Sequence, residues 1–264
     1  MSSERWLGEA HINGRVVARI GRLEDRLIAE WLGIGRLEVS KDGSDAHFDP
    51  LASADPRQVE KIREGAVLLL LRSLHGKIGL HGSAIALGNA ALVFVGQAGA
   101  GKSTLAAAFC KEQGASLLAD DAVALEHDDS WSVLASERLH FLDAAALAAL
   151  SLPSVGPPLA TQKHAITAPR LRERATLKAI MSLCFDPACN TPALRRLGAI
   201  DGLQALVPQT IRFAIDEPSF QRREFEELSN LLITTPVFEL TRPPSFRHLD
   251  ATIELIHDIV VESA

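Results

Sequence analysis

The run GQAGAGKST, Gly96 to Thr104, fixes more about this chain than any other stretch. Gly96 to Ser103 satisfies the Walker A pattern, G-x-x-x-x-G-K-S, in full. Glycine permits positive φ and close backbone approach, so successive N–H groups can line a concavity of phosphate size. A helix beginning there adds the positive end of its dipole. Lys102 can reach β- and γ-phosphates, and Ser103 can hold Mg²⁺. The nucleotide-contact candidates are therefore Gly96, Gln97, Ala98, Gly99, Ala100, Gly101, Lys102, Ser103 and Thr104. Ala90–Val95 reads as a strand entering the loop and Ser103–Glu112 as a helix leaving it, which is the context the pattern requires.

The bulk properties fit a folded enzyme. Of 264 residues, 47% are hydrophobic and 23% charged, and the mean hydropathy is +0.11. A net charge of -6 and a pI near 5.9 give no bulk attraction to nucleic acid or an anionic membrane, so neither partner is expected. The apolar stretch Ala66–Val95 is interrupted by Arg72, His75, Lys77, His81 and Asn89, too often for a membrane span. MSSERWLGEA lacks the apolar core of a signal peptide, and a cytoplasmic protein is expected. Cys110, Cys184 and Cys189 show no metal-ligand spacing and read as buried free thiols.

Local signals divide the chain into a strand-rich segment, 1–54, and a larger domain, 55–264. His11–Ile20 alternates around Asn13-Gly14, and Arg36–Ser40 precedes the turn Lys41-Asp42-Gly43. Asp55-Pro56 starts a helix reaching Leu74. Gly79–Leu87 and Ala90–Val95 form a hairpin across Gly88-Asn89, and Val123–Leu125 pairs with Trp131–Leu134. Leu177–Phe185 and Val237–Leu240 are strands, Ile200–Val207 and Phe220–Ile233 helices. Ser245 caps a last helix to Val261, with Leu249, Ile253, Ile256 and Val260 on one side. The fold class is α/β: a mixed sheet with flanking helices, partly antiparallel because several connections are hairpin-short.

Ser116–Ala119 forms a strand that ends in Asp120-Asp121. At the rim shared with the glycine loop, two carboxylates can bind Mg²⁺ and accept a hydroxyl proton. Adjacent strand residues face opposite ways, which divides the two tasks between them. His81 can orient or polarise Asp120 where their strands are neighbours.

LHGSAI, GQAGAGKST and LLADDAVAL, in this order, resemble the HPr kinase/phosphorylase superfamily, which shares its P-loop core with phosphoenolpyruvate carboxykinases. The chain looks most like the short HPr-kinase-like proteins of peptide-biosynthesis clusters, including lasso-peptide precursor kinases. The resemblance is strongest over residues 70–130. It implies Asp120 as general base assisted by His81, Asp121 and Ser103 at Mg²⁺, and Lys102 on the transferred phosphoryl group. Lys163 and Arg242 match recurring basic positions and are candidate phosphate or substrate contacts. Ala98 stands where the family often has serine. The Glu-x-Arg-Gly-x-Gly signature of true HPr kinases is not matched, which argues against HPr as substrate and against phosphorolysis. Glu126 and Glu173 are the candidates for a third metal-site acid.

The expected function is an ATP-dependent serine kinase with Mg²⁺, acting on a peptide or small protein, with GTP as the other nucleotide option. Two further readings use the same residues: a kinase of a sugar or small alcohol, and a nucleotide-dependent regulatory binder. HPr kinase relatives form oligomers, so a homo-oligomer is one expectation of the resemblance. Leu152–Ala168 reads as a mobile loop and candidate lid. Arg170, Arg172, Arg174 and Lys178 read as a solvated edge strand or as a grip on an acidic substrate.

Overall fold

A computed structural model describes residues 4–12, 14–159, 161–213 and 218–261. Asn13 and the side chain of Val260 lie outside the described residues. The chain divides into two compact units, one of residues 1–77 with 211–224, the other of 78–210 with 225–264. The division falls after Lys77, not at residue 54.

The first unit is an antiparallel meander of β1 (Arg5–Ile12), β2 (Arg15–Leu23), β3 (Arg26–Trp31), β4 (Gly35–Val39) and β5 (Ala46–Pro50). Its alternating residues Leu27, Ala29 and Trp31, with Leu37 and Val39, bury one face. The Asp55 carboxylate caps α1 (Pro56–Lys61) by accepting from Arg57 N, with Pro at the first helical position. A π-helical turn, Ile62–Val67, joins it to α2 (Leu68–Leu74). Val67 and Leu70 seat this helical run on the meander, so its packing belongs to the first unit.

The second unit is a seven-stranded mixed sheet. Its members are β6 (Gly79–Leu87), β7 (Ala90–Gly96), β8 (Ser116–His127), β9 (Trp131–Leu134), β12 (Arg174–Phe185), β13 (Ala193–Arg196) and β14 (Val237–Arg242), in the order β13-β14-β12-β7-β6-β8-β9. A separate pair, β10 (Leu139–Leu142) and β11 (His164–Thr167), is antiparallel. β7 is parallel to β12, and β12 to β14, while β6 runs antiparallel to both β7 and β8.

An unbroken apolar strand such as Ala91–Val95 needs cover on both faces. Leu92 and Phe94 pack under α3 (Lys102–Glu112), α4 (Ala144–Leu150) and α7 (Leu249–Val261). Val93 and Val95 join Leu206 of α5 (Ala199–Leu206) and Leu228 and Leu231 of α6 (Pro218–Thr234). The expected hairpins at Gly88-Asn89 and His127–Ser130 form, and Ser245 accepts from Arg247 N at the entry to α7.

Several expectations are corrected. β8 does not end at Asp120-Asp121; it continues to His127, because both sides of the aspartate pair find hydrogen-bond partners within the fold. Part of 152–168 is regular rather than loop: His164–Thr167 form β11, Val155 N donates to Ala165 O at 2.7 Å and Leu159 N to Lys163 O at 2.8 Å. β12 is an interior strand between β7 and β14, not an edge. Arg174, at its start, pairs with Asp128, and Arg170 donates to Gly114 O. In the ladder Thr176 faces Ala90 while Leu183 faces Gly96, so this basic cluster lies at the end of the sheet away from the glycine loop. Of the cysteines only Cys110 is buried; Cys184 is exposed and Cys189 half-buried.

Candidate functional site

The glycine loop leaves β7 at its C-terminal end and enters α3. Gly96 has φ 140, Gly99 φ 81 and Gly101 φ 84, a region that favours glycine. A Cβ on Gly96 would lie 2.8 Å from the backbone oxygen of Leu183, and one on Gly101 would displace the end of the Arg242 side chain. Leu105 N donates to Gly101 O at 2.9 Å, the first turn of α3. The first amides of a helix have no carbonyl partner within it, and here they stand at the loop. Ser103 and Thr104 occupy that turn, half-buried.

Lys102 is buried, 7% exposed, and folds back over the loop, Nζ donating to Gly96 O at 2.8 Å and Gln97 O at 3.1 Å. Burial lowers its pKa, Asp121 opposes that, and the cation of Lys163 lowers it further. His81 is also pushed down, first by burial and then by Lys102, again against Asp121. That shift favours the neutral His81 ring. Its Nδ1 lies 3.2 Å from Asp121 O. A carbonyl only accepts, so Nδ1 carries the proton and Nε2 is the acceptor nitrogen.

The sheet register sets the aspartates level with the loop's entry. Asp121 faces Gly82, which faces Val95; Asp120 faces Ser83, which faces Phe94. Asp121 is thus two strand spacings, roughly 10 Å, from the last residue before Gly96. The two carboxylates differ. Asp120 is 0% exposed, and its oxygens accept from Ser83 Oγ at 2.6 Å and Phe141 N at 2.7 Å. Asp121 is half-buried, with φ 122, and is the leading carboxylate influence on both Lys102 and His81. His81 meets the main chain of Asp121, not the carboxylate of Asp120 as the sequence suggested.

Arg242 closes the other side. It is buried, donates to Ala100 O at 2.8 Å and stacks on Phe185 with 4.7 Å from guanidinium carbon to ring centre. Burial lowers its pKa to about 10, still a cation at neutral pH.

The structure thus brings together Gly96 to Thr104, His81, Asp121 and Arg242, while Lys163 reaches them only through its charge, felt at Lys102 and His81. It does not bring Glu126 or Glu173. Glu126 lies five residues beyond Asp121 along β8, and exposed Glu173 precedes β12 at the far end of the sheet. The acid that sequence reasoning missed is Glu137, 3% exposed, whose Oε2 accepts from Asp120 N at 2.6 Å and Ala122 N at 3.2 Å. No local pattern marks it, since its role depends on the chain returning alongside β8.

Among the described residues no three His, Cys, Asp or Glu side chains cluster as a metal cage. A Mg²⁺ that arrives with a nucleotide needs few protein ligands, because phosphates and water supply the others. Ser103 and Asp121 have the hard oxygen donors that ion takes.

These features define a mixed α/β protein with a glycine-loop site rich in cations. No family model matches the chain. No curated protein matches it either. Among solved structures it is similar to the HPr(Ser) kinase/phosphatase from Coxiella burnetii, with 12% identity and a TM-score of 0.40, over 70% of this chain and 98% of that one. At that distance the functional reading rests on the site itself. Among the described residues no helix is long and apolar enough to cross a membrane.

Proposed function

We propose that this chain binds a nucleoside triphosphate with Mg²⁺ at Gly96–Thr104 and transfers its terminal phosphoryl group to a serine hydroxyl of a peptide or small protein. The observation that carries the reading is Lys102 Nζ seated on Gly96 O and Gln97 O within a loop of positive-φ glycines, with His81 and Asp121 on the adjoining strands at the same end of the sheet. Lys102 and Arg242 both bond to the glycine loop, at Gly96 O and Ala100 O, and the charge of Lys163 acts on Lys102, which suits a polyphosphate.

Each residue has a task in this reading. Loop amides and Lys102 hold the phosphates, with Arg242 bracing the loop through Ala100 O. Ser103 and Asp121 would hold Mg²⁺, which when bound neutralises charge on the phosphate oxygens. His81 Nε2 accepts the hydroxyl proton while Nδ1 keeps its own proton and donates it as a hydrogen bond to Asp121 O. Asp120, the base expected from sequence, would have to surrender a hydrogen bond from Ser83 or Phe141 to act as one. Its geometry supports an anchoring task instead.

The test is intact-mass analysis of serine-bearing peptides, including any precursor peptide encoded beside this gene, incubated with the protein, Mg²⁺ and ATP or GTP. Gain of one phosphate by wild type, lost in His81→Asn, supports the reading. ATP bound but never consumed, with peptides and simple alcohols alike, would replace it with a nucleotide-dependent regulatory binder.

A further inference from the structure

β9 pairs with β8 only from Ala124 to His127, so the outer edge of β8 around the aspartates needs other partners. The segment after β9 supplies them. Ser136 N donates to Leu118 O at 2.9 Å, and Ser136 Oγ donates to Ala122 O. One oxygen of Glu137 then accepts from both Asp120 N and Ala122 N, at 2.6 and 3.2 Å. These two amides bracket Asp121, whose φ of 122 is a conformation L-residues seldom hold unless the surroundings impose it. A buried carboxylate is costly unless hydrogen-bonded, and the two amides on Oε2 offset part of that cost.

We infer that Glu137 is a positioning residue: by clamping the amides on either side of Asp121 it holds that residue's backbone in the turned-out conformation that presents its carboxylate to Lys102 and the metal-nucleotide. The inference rests on the function proposed above for the use of Asp121, but not for the clamp itself. It requires an acceptor oxygen at the right reach, not a negative charge. Glu137→Gln keeps that oxygen; Glu137→Asp keeps the charge and withdraws it by one methylene.

Two measurements on the full-length protein test it. Crystal structures of the two variants are expected to show Asp121 at positive φ in Glu137→Gln and relaxed in Glu137→Asp. Asp121 unchanged in Glu137→Asp, or displaced in Glu137→Gln, overturns the clamp, whatever the protein binds. The second is the Mg²⁺ concentration giving half-maximal ATP binding by calorimetry. Glu137→Asp is expected to raise it on the order of ten-fold, the usual scale for a lost supporting contact, with Glu137→Gln near wild type. Combining Glu137→Asp with Asp121→Asn should add nothing to Asp121→Asn alone, because Glu137 acts through Asp121. Additive effects, or a Gln variant worse than the Asp variant, would make Glu137 an independent charge and sink the inference. A wild type that binds no ATP at any Mg²⁺ concentration defeats the proposed function and leaves the crystallographic test to decide the clamp.

Discussion

The guanidinium of Arg242, at the last residue of β14, donates to the carbonyl oxygen of Ala100 at 2.8 Å, tying the end of one strand to the glycine loop of another. The bond crosses 142 residues of sequence and lays the guanidinium against Gly101, whose φ of 84 is a left-handed conformation that L side chains rarely adopt. Gly101→Ala is therefore expected to lose about 1–3 kcal/mol of stability from backbone strain alone. Nucleotide binding should fall with it. Urea midpoints of wild type and Gly101→Ala check the first, titration calorimetry the second.

The two aspartates should separate cleanly on mutation. Asp120→Ala removes the acceptor for Ser83 Oγ and Phe141 N inside the core, at a cost of about 1–3 kcal/mol or more for a charged group. Asp121→Ala, half-buried, should cost less stability but abolish the Mg²⁺ dependence of nucleotide binding. Denaturation and Mg²⁺ titration of both variants give the comparison. A stable, Mg²⁺-indifferent Asp120→Ala would reverse the assignment.

Acid should weaken the fold through His140. The ring is 1% exposed with neither nitrogen hydrogen-bonded, and burial lowers its pKa against a weaker opposing pull from Asp120. The unfolded chain takes up that proton near pH 6.5 while the folded chain does not. Stability is thus full above that pH and falls below it, by up to about 1.4 kcal/mol per pH unit for each such group. His81 acts in the same direction. Urea midpoints at about pH 7.5 and 5.5 should differ less in His140→Leu than in wild type.

Phe109 of α3 stacks on Phe94 of β7 with ring centres 5.8 Å apart, and both are fully buried. This contact anchors the helix that begins at Lys102. Phe109→Ala is expected to cost about 3–5 kcal/mol in equilibrium unfolding.

Features governed by short-range chemistry were legible in the sequence. The glycine loop, the hairpin at Gly88-Asn89 and the caps at Asp55 and Ser245 all carry their signal in adjacent residues. Non-local pairing left no such mark. β13 exists because β14 lies beside it, and β10 because it pairs with β11. Aspartate is a poor strand former, so Asp120-Asp121 reads as a strand end. The fold overrides that preference by giving Asp120 the hydrogen bonds of Ser83 and Phe141 and giving its amide to Glu137. The basic cluster misled for a topological reason: β12 is parallel to β7, so its arginine-rich start must lie opposite the loop.

On the proposed function, Gly96–Thr104 holds a nucleoside triphosphate through Lys102. Calorimetric titration of ATP with Mg²⁺ into wild type and Lys102→Ala tests it most directly. One site is expected in wild type and none in Lys102→Ala, with both proteins equally folded by circular dichroism. Equal affinity in the two, or no binding by wild type, would contradict it.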